Sequence, residues 1–156
     1  MARIIMAEDD DLVAEVAIEA LNAAGHAVGL LVDGTDMMKV IEARRPDLVI
    51  LDCNMPQKSG ILVLREMRSS MSFCETPVLM LTARRSERDV ELAMFEGASD
   101  YMKKPFNPDE LVFRVDRLLQ KHQAASRSPV PTRSSFSSAK RVTNMASLRR
   151  TLCAAN

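Results

Sequence analysis

Side chains that can bind a metal ion or a phosphoryl group follow several short apolar segments of the sequence. Glu8 and Asp9 come after the first segment, and Asp52 comes after the third. Thr82 follows the fourth segment, and Lys104 lies at the end of the fifth. Carboxylates suit a hard divalent cation, whereas an ammonium and a hydroxyl group can donate to phosphate oxygens. This combination of side chains indicates phosphoryl chemistry.

Three carboxylates in one crevice would repel each other, which would raise the pKa of at least one of them. A divalent cation between them removes the repulsion, and Mg²⁺ prefers carboxylate, carbonyl, water and phosphate oxygens as ligands. Asp52 is then the candidate nucleophile, because a carboxylate can attack phosphorus to give an acyl phosphate. The ion and Lys104 would offset the charge of the transferred oxygens, and the Thr82 hydroxyl would add a hydrogen bond.

Five short apolar segments alternate with amphipathic stretches, a pattern typical of a parallel sheet covered by helices. The middle three are nearly continuous in apolar residues, which predicts strands buried on both faces. The carboxyl ends of parallel strands share one edge of the sheet, so the polar side chains should converge there. The predicted strands are RIIMA at 3–7, VGLLV at 28–32, DLVIL at 47–51, PVLML at 77–81 and DYMKK at 100–104.

Local signals mark where several helices begin and end. Asp10 or Asp11 can cap the first helix, and Gly97 is placed to close the fourth. The spacing of Ser86 and Asp89 resembles a capping box, which predicts the start of the fourth helix. Asn107 stands three residues before an acid and next to a proline, which predicts the start of the fifth.

Four segments, AEDDD, LVILDCNMPQKSG, LMLTA and DYMKKPF, resemble the signature segments of bacterial two-component receiver domains, in matching order over residues 3–121. The resemblance implies a (βα)5 fold with a doubly wound five-stranded parallel sheet in the flavodoxin-like order 2-1-3-4-5. It also implies a phosphoacceptor that modifies itself and is not a turnover enzyme.

The resemblance assigns a role to each residue that matches a motif. Asp52 is the phosphoacceptor, and Thr82 and Lys104 complete the catalytic set. Thr82 and Tyr101 form the conformational switch. The peptide bond between Lys104 and Pro105 is expected to be cis, because the lysine of this family sits on such a turn.

The same resemblance implies the ligands of a magnesium ion. Glu8 and Asp9 form the acidic pair at the metal, together with Asp52. Asn54 would contribute its backbone carbonyl. Gly60 matches the glycine that ends the D-x-x-M-P segment of the family.

Charge is distributed unevenly along the chain. Residues 1–121 contain 15 basic and 21 acidic residues, a formal net charge of −6, whereas residues 122–156 contain six basic residues and no acid. The later stretch is rich in Ser and Pro, which disfavours a packed core. We therefore predict a receiver domain over residues 1–123 and a basic tail over 124–156 that is disordered or weakly helical.

The expected partners follow from the resemblance. A sensor histidine kinase or a histidine phosphotransfer protein would supply the phosphoryl group, and a downstream protein would read the altered surface. A stand-alone receiver, like those of chemotaxis or cell-cycle regulators, is expected because the tail is too short for an output domain. The acidic body disfavours nucleic acid as its ligand, and dimerisation remains open. No apolar run approaches the roughly 18 residues of a membrane span, and no signal peptide is apparent, so a cytoplasmic protein is expected.

Three other functions are compatible with parts of the sequence. The chain could be the N-terminal receiver of a longer transcription factor or diguanylate cyclase. It could be a magnesium-dependent aspartyl phosphatase, although Cys53 and Asn54 after Asp52 depart from the D-x-D segment of such enzymes. The basic tail could bind nucleic acid or acidic lipids, although Phe136 is its only aromatic residue.

Overall fold

The computed structural model describes residues 1–83 and 87–127. Within them five strands and five helices alternate, and the strands form one parallel sheet in the order β2-β1-β3-β4-β5. The predicted (βα)5 fold and its strand order are confirmed. The elements are β1 (Arg3–Ala7), α1 (Asp11–Ala23), β2 (Ala27–Leu31), α2 (Met37–Arg44), β3 (Leu48–Asp52), α3 (Gly60–Ser69), β4 (Val78–Ala83), α4 (Glu87–Phe95), β5 (Asp100–Lys104) and α5 (Pro108–Arg127).

The sheet has an apolar core on each face, because successive side chains of a strand point to opposite sides. In β1, Ile4 and Met6 join the core beneath α1 and α5, whereas Ile5 and Ala7 join the core beneath α2, α3 and α4. The central strand β3 is buried at every residue. The helices therefore cover both faces of the sheet and leave its carboxyl edge for the polar residues.

The sequence-based prediction for the second strand was wrong in one respect. The apolar run at 28–32 indicated a strand buried on both faces, but β2 lies at the edge of the sheet and is only partly covered. Leu30 and the adjacent Val32 expose 39% and 59% of their surface. An edge strand has a neighbour on one side only, so the covering helices do not enclose it as they enclose β3.

The predicted helix ends agree with the structure where it is described. Asp10 caps α1, accepting hydrogen bonds from the backbone N–H groups of Leu12 and Val13 at 3.0 and 3.2 Å. Asn107 accepts a hydrogen bond from the N–H of Asp109 at 2.8 Å before α5. Gly97 has a positive φ of 98° and lies two residues after the end of α4, as expected of a glycine that closes a helix. Ser86, the predicted cap of α4, lies outside the described residues.

Helix α5 continues beyond the predicted end of the receiver. It runs to Arg127, whereas the predicted domain ends at residue 123. The first four residues of the predicted tail, 124–127, are therefore helical, and the rest of that tail lies outside the described residues. Although α5 is 20 residues long, neither it nor any other helix of the described chain has the length and apolar character needed to span a bilayer.

Candidate acidic site at the carboxyl edge of the sheet

The strand register brings the ends of β1, β3 and β4 to the same level. Ala7 pairs with Leu51, and Asp52 pairs with Leu81, so Glu8, Asp52 and Thr82 emerge side by side. Beyond the strands, the N–H of Glu8 donates to the carbonyl of Leu31 at 3.0 Å. These backbone contacts fix the strand ends, and the loop after β1, that carry the polar side chains.

Glu8, Asp9 and Asp52 form a cluster of carboxylates. One oxygen from each lies within 4.8 Å of the others. Glu8 and Asp52 are buried, with 1% and 4% of their surface exposed, whereas Asp9 is exposed. The arrangement brings together all three side chains predicted to ligate the metal, with a solvent-facing side through which an ion can enter.

Lys104 extends from the end of β5 into this cluster. Its Nζ lies 2.8 Å from Oδ2 of Asp52 and 2.8 Å from Oε1 of Glu8. Burial lowers the pKa of Lys104, but the hydrogen bonds to Asp52 and Glu8 outweigh it, so the pKa is raised and the ammonium stays charged. The predicted cis peptide bond between Lys104 and Pro105 is confirmed, and Lys103 is exposed to solvent.

Glu8 is the carboxylate with the least favourable surroundings. The pKa of Glu8 is raised, chiefly by burial and also by the charge of Asp52. The hydrogen bond from Lys104 lowers it but does not cancel these effects. Oε2 of Glu8 is also buried and lies 2.8 Å from Nζ of Lys104 as an ion pair, with no other donor among the described residues. Three clustered carboxylates beside a single ammonium form an environment that a divalent cation stabilises. The residues present therefore fit a metal site.

Thr82 and Tyr101 lie where a switch pair would be needed. Thr82 is fully buried at the carboxyl end of β4, and its Oγ1 has no hydrogen-bond partner within the described part of the chain. A buried hydroxyl without a partner is costly, so it is ready to bond an oxygen brought by a ligand. Tyr101 on β5 is half-buried and packs against the core on the α4 side of the sheet.

The loop after β3, which we call the acceptor loop (residues 52–60), is held close to Asp52. The N–H of Asn54 donates to Oδ1 of Asp52 at 3.1 Å. Gly60 lies so near that a Cβ atom there would stand 2.1 Å from the carbonyl oxygen of Asp52. The sequence did not predict that the side chain of Asn54 donates to Oδ2 of Asp89 in α4 at 3.1 Å. The Ser86–Asp89 spacing indicated only a helix start.

Residues 4–116 match the family described as the response regulator receiver domain, which is more than half of the chain. The chain belongs to the response regulator receiver domain family. The receiver is 38% identical over 120 residues to the DNA-binding response regulator MtrA of Mycolicibacterium paratuberculosis, covering 77% of this chain and 52% of that protein. MtrA of Mycobacterium tuberculosis strain H37Rv is also 38% identical over 120 residues, which cover 77% of this chain and 51% of that protein. The receiver thus spans about half the length of these curated relatives.

Solved structures show the same fold. A putative response regulator from Chloroflexus aurantiacus superposes on the receiver with a TM-score of 0.74 and 33% identity, covering 76% of this chain and 98% of that one. The chemotaxis response regulator CheY4 of Vibrio cholerae superposes with a TM-score of 0.70 and 29% identity. The match covers 76% of this chain and 98% of that one. The fold is therefore the flavodoxin-like receiver fold that the strand order indicates.

Cys53, next to Asp52, should be chemically inert in the folded receiver. Burial raises the pKa of its thiol to about 12, and the charges of Asp89 and Asp52 add to this effect. Because the thiolate is the reactive form, iodoacetamide at pH 8 should alkylate Cys53 at least about a hundredfold more slowly in the folded than in the urea-denatured chain. Peptide mapping of the alkylated residue measures both rates. Comparable rates would contradict the burial of the Cys53 thiol.

Proposed function

We propose that Asp52 accepts a phosphoryl group from a phosphohistidine donor. The observation that carries the proposal is the position of its carboxylate. It is buried within a cluster of three acids and hydrogen-bonded to Lys104 at 2.8 Å, at the edge of the sheet where a ligand can approach. Such a carboxylate is oriented by its hydrogen bond and shielded from bulk water, as a nucleophile requires.

The transfer forms one bond and breaks one. An oxygen of Asp52 attacks the phosphorus atom, the bond from phosphorus to the donor nitrogen breaks, and the imidazole leaves as the neutral base after it gains a proton. The product is an acyl phosphate on Asp52. The receiver is then a stoichiometric phosphoacceptor in place of a turnover enzyme.

Lys104 and Thr82 stabilise the transferred group. The Lys104 ammonium already touches Asp52, so a small shift brings it to a phosphoryl oxygen. The unpartnered hydroxyl of Thr82 donates a second hydrogen bond to that group. As Thr82 moves toward the phosphoryl group, Tyr101 turns into the space it leaves, and this biases a pre-existing equilibrium between two surfaces.

The proposed cofactor is Mg²⁺, held by Glu8, Asp9, Asp52 and the backbone carbonyl of Asn54. When bound, it neutralises the carboxylates and the phosphoryl oxygens. Glu8 already accepts hydrogen bonds from Lys104 and from the N–H of Asp10 at 2.8 and 3.2 Å. Competition with Lys104 makes Glu8 the weaker ligand, acting through water, whereas the exposed Asp9 is available for direct contact.

This assignment predicts unequal losses of magnesium affinity. Asp9→Ala should weaken Mg²⁺ binding by at least about tenfold, and Glu8→Ala by less, because a direct carboxylate contact is lost only in the first. Asp11→Ala, which removes an exposed acid in the next turn outside the cluster, serves as the control and should change the affinity by less than about twofold. Calorimetric titration measures all three. Undiminished affinity in both cluster variants would refute the metal site.

The proposed partners are a sensor histidine kinase or a histidine phosphotransfer protein, and a downstream protein that reads the phosphorylated surface. We place that surface on α4, β5 and α5, where Met94 and Phe113 expose 46% and 64% of their area. It includes Val90, Tyr101 and Arg114. A cytoplasmic location follows, because kinases make phosphohistidine from ATP there.

For domain organisation we propose a receiver over residues 1–123, extended by the rest of α5, and a basic tail after it. The relatives named DNA-binding response regulators are about twice as long as the matched region. This observation favours, as a second candidate, the receiver half of such a longer regulator. In that case the output belongs to another domain, while the chemistry at Asp52 is unchanged.

The test of the proposed function uses acetyl phosphate as the donor. The receiver, incubated with acetyl phosphate and Mg²⁺, should gain the mass of one phosphoryl group, and excess EDTA should suppress this gain. Sustained hydrolysis of p-nitrophenyl phosphate would instead indicate a phosphatase. Absence of any mass increase with either donor, acetyl phosphate or a phosphorylated kinase, would refute the proposal.

A further inference from the structure

Helix α4 is held to the domain by few apolar contacts. Among its residues Glu87–Phe95, Ala93 alone is buried. Leu92, Met94 and Phe95 expose 41%, 46% and 72% of their surface. Because so little apolar area is buried, polar contacts at the two ends of the helix contribute strongly to its position.

The two ends of α4 are tied to different parts of the molecule. Near its carboxyl end, Arg65 of α3 bonds Glu96 at 2.8 Å, and the Nε of Arg68 donates to the carbonyl of Gly97 at 2.8 Å. At its start, the described residues show one side-chain tie, the 3.1 Å hydrogen bond from Nδ2 of Asn54 to Oδ2 of Asp89. The contacts at the carboxyl end, which we call the first anchor, involve no residue of the acidic site or the acceptor loop. The contact at the start of α4, the second anchor, involves Asn54 of the acceptor loop.

The second anchor leads directly to the phosphoacceptor. Asn54 donates its N–H to Oδ1 of Asp52 and its side-chain amide to Asp89. The negative charge of Asp89 also contributes to the raised pKa of Cys53 beside Asp52. Asp89 therefore has both a hydrogen-bonded and an electrostatic connection to the acceptor loop.

We propose that Asp89 is a positioning residue that fixes the start of α4 to the acceptor loop while Asp52 is unmodified, and releases it when Asp52 is phosphorylated. This inference rests on the proposed function. The acyl phosphate carries more negative charge than the carboxylate it replaces, two residues from Asn54. With Mg²⁺ present in both states, the added charge repels the Asp89 carboxylate and shifts the equilibrium toward the released helix.

Hydrogen–deuterium exchange of the α4 amides, at a constant Mg²⁺ concentration, measures how firmly Asp89 fixes the helix to the acceptor loop. In the unmodified receiver Asp89→Ala and Asn54→Ala should each speed exchange in peptides covering residues 87–97 by about threefold to tenfold, the value of one hydrogen bond. Asn54→Ala leaves the sequence of α4 unchanged, so helix propensity cannot explain its effect. Glu87→Ala, which also removes an acid from the first turn, controls for the helix dipole and should change exchange less.

Asp89→Asn separates the hydrogen bond from the charge. Its side-chain oxygen can still accept from Asn54, so α4 should stay protected in the unmodified state. Without the carboxylate charge, phosphorylation by acetyl phosphate should no longer release the helix, although wild-type α4 exchanges faster once Asp52 is modified. Intact mass confirms in each sample that the phosphoryl group is present.

If α4 amides exchange at the wild-type rate in unmodified Asp89→Ala and Asn54→Ala, the contact between these residues does not fix the start of α4. Release of α4 in phosphorylated Asp89→Asn to the wild-type extent would overturn the role of charge. If no variant, including the wild type, gains a phosphoryl group, the proposed function fails and the release fails with it. The comparison of unmodified variants then still decides whether Asp89 positions α4.

Discussion

Asp52→Asn should fold normally and accept no phosphoryl group. The amide that replaces the carboxylate is not a nucleophile, so modification by acetyl phosphate or by a kinase should fall at least about a hundredfold, to the detection limit. The fold should persist, because Lys104 keeps its hydrogen bond to Glu8 at 2.8 Å. Removing one of three clustered negative charges also relieves repulsion with Glu8 and Asp9. Intact mass and thermal unfolding measure the two properties.

The matched control is Asp36→Asn. Asp36 is exposed and pairs with Lys39 at 2.8 Å, far from the acidic cluster along the chain. This variant should be phosphorylated like the wild type. Modification of Asp52→Asn at the wild-type level would mean that the phosphoryl group resides elsewhere.

Gly60→Ala should destabilise the fold more than any other small substitution in the acceptor loop. An added Cβ would stand 2.1 Å from the carbonyl oxygen and 2.9 Å from the carbonyl carbon of Asp52. Both are backbone atoms of the central strand and cannot rotate away, so the loop or α3 must shift. We expect a loss of about 3 kcal/mol or more in the free energy of unfolding, measured in urea.

Ser59→Ala provides the comparison for this substitution. Ser59 precedes the same helix but makes no capping hydrogen bond with its side chain, so its loss should cost less than about 0.5 kcal/mol. A cost for Gly60→Ala no greater than that for Ser59→Ala would contradict the close approach of the loop to Asp52.

The strands and the site could be predicted because their signals are local. A buried parallel strand needs a continuous apolar run, and the polar residue that follows it marks the carboxyl edge. This logic predicted that Asp52 and Lys104 lie at the same edge, and in the structure Nζ of Lys104 donates to Oδ2 of Asp52 at 2.8 Å. It failed for β2, because an apolar run does not show whether a strand has neighbours on both sides.

The contact between Asn54 and Asp89 could not be predicted for a different reason. The two residues are 35 positions apart, and each fits a local role, Asn54 in the acceptor loop and Asp89 in a helix start. Only the packing of α4 across the sheet shows that their side chains meet. Helix α5 continues past residue 123 to Arg127, and no glycine or proline stands between these two positions to mark an earlier helix end.

The central claim, that Asp52 carries the phosphoryl group, is tested most directly by locating the modified residue. The receiver is phosphorylated with acetyl phosphate and Mg²⁺, and borohydride then reduces the acyl phosphate to the alcohol, which converts the modified aspartate to homoserine. Sequencing of the peptides by mass spectrometry should find homoserine at position 52 and at no other aspartate. Homoserine at position 9, or a phosphoryl group retained on a histidine, would contradict the account.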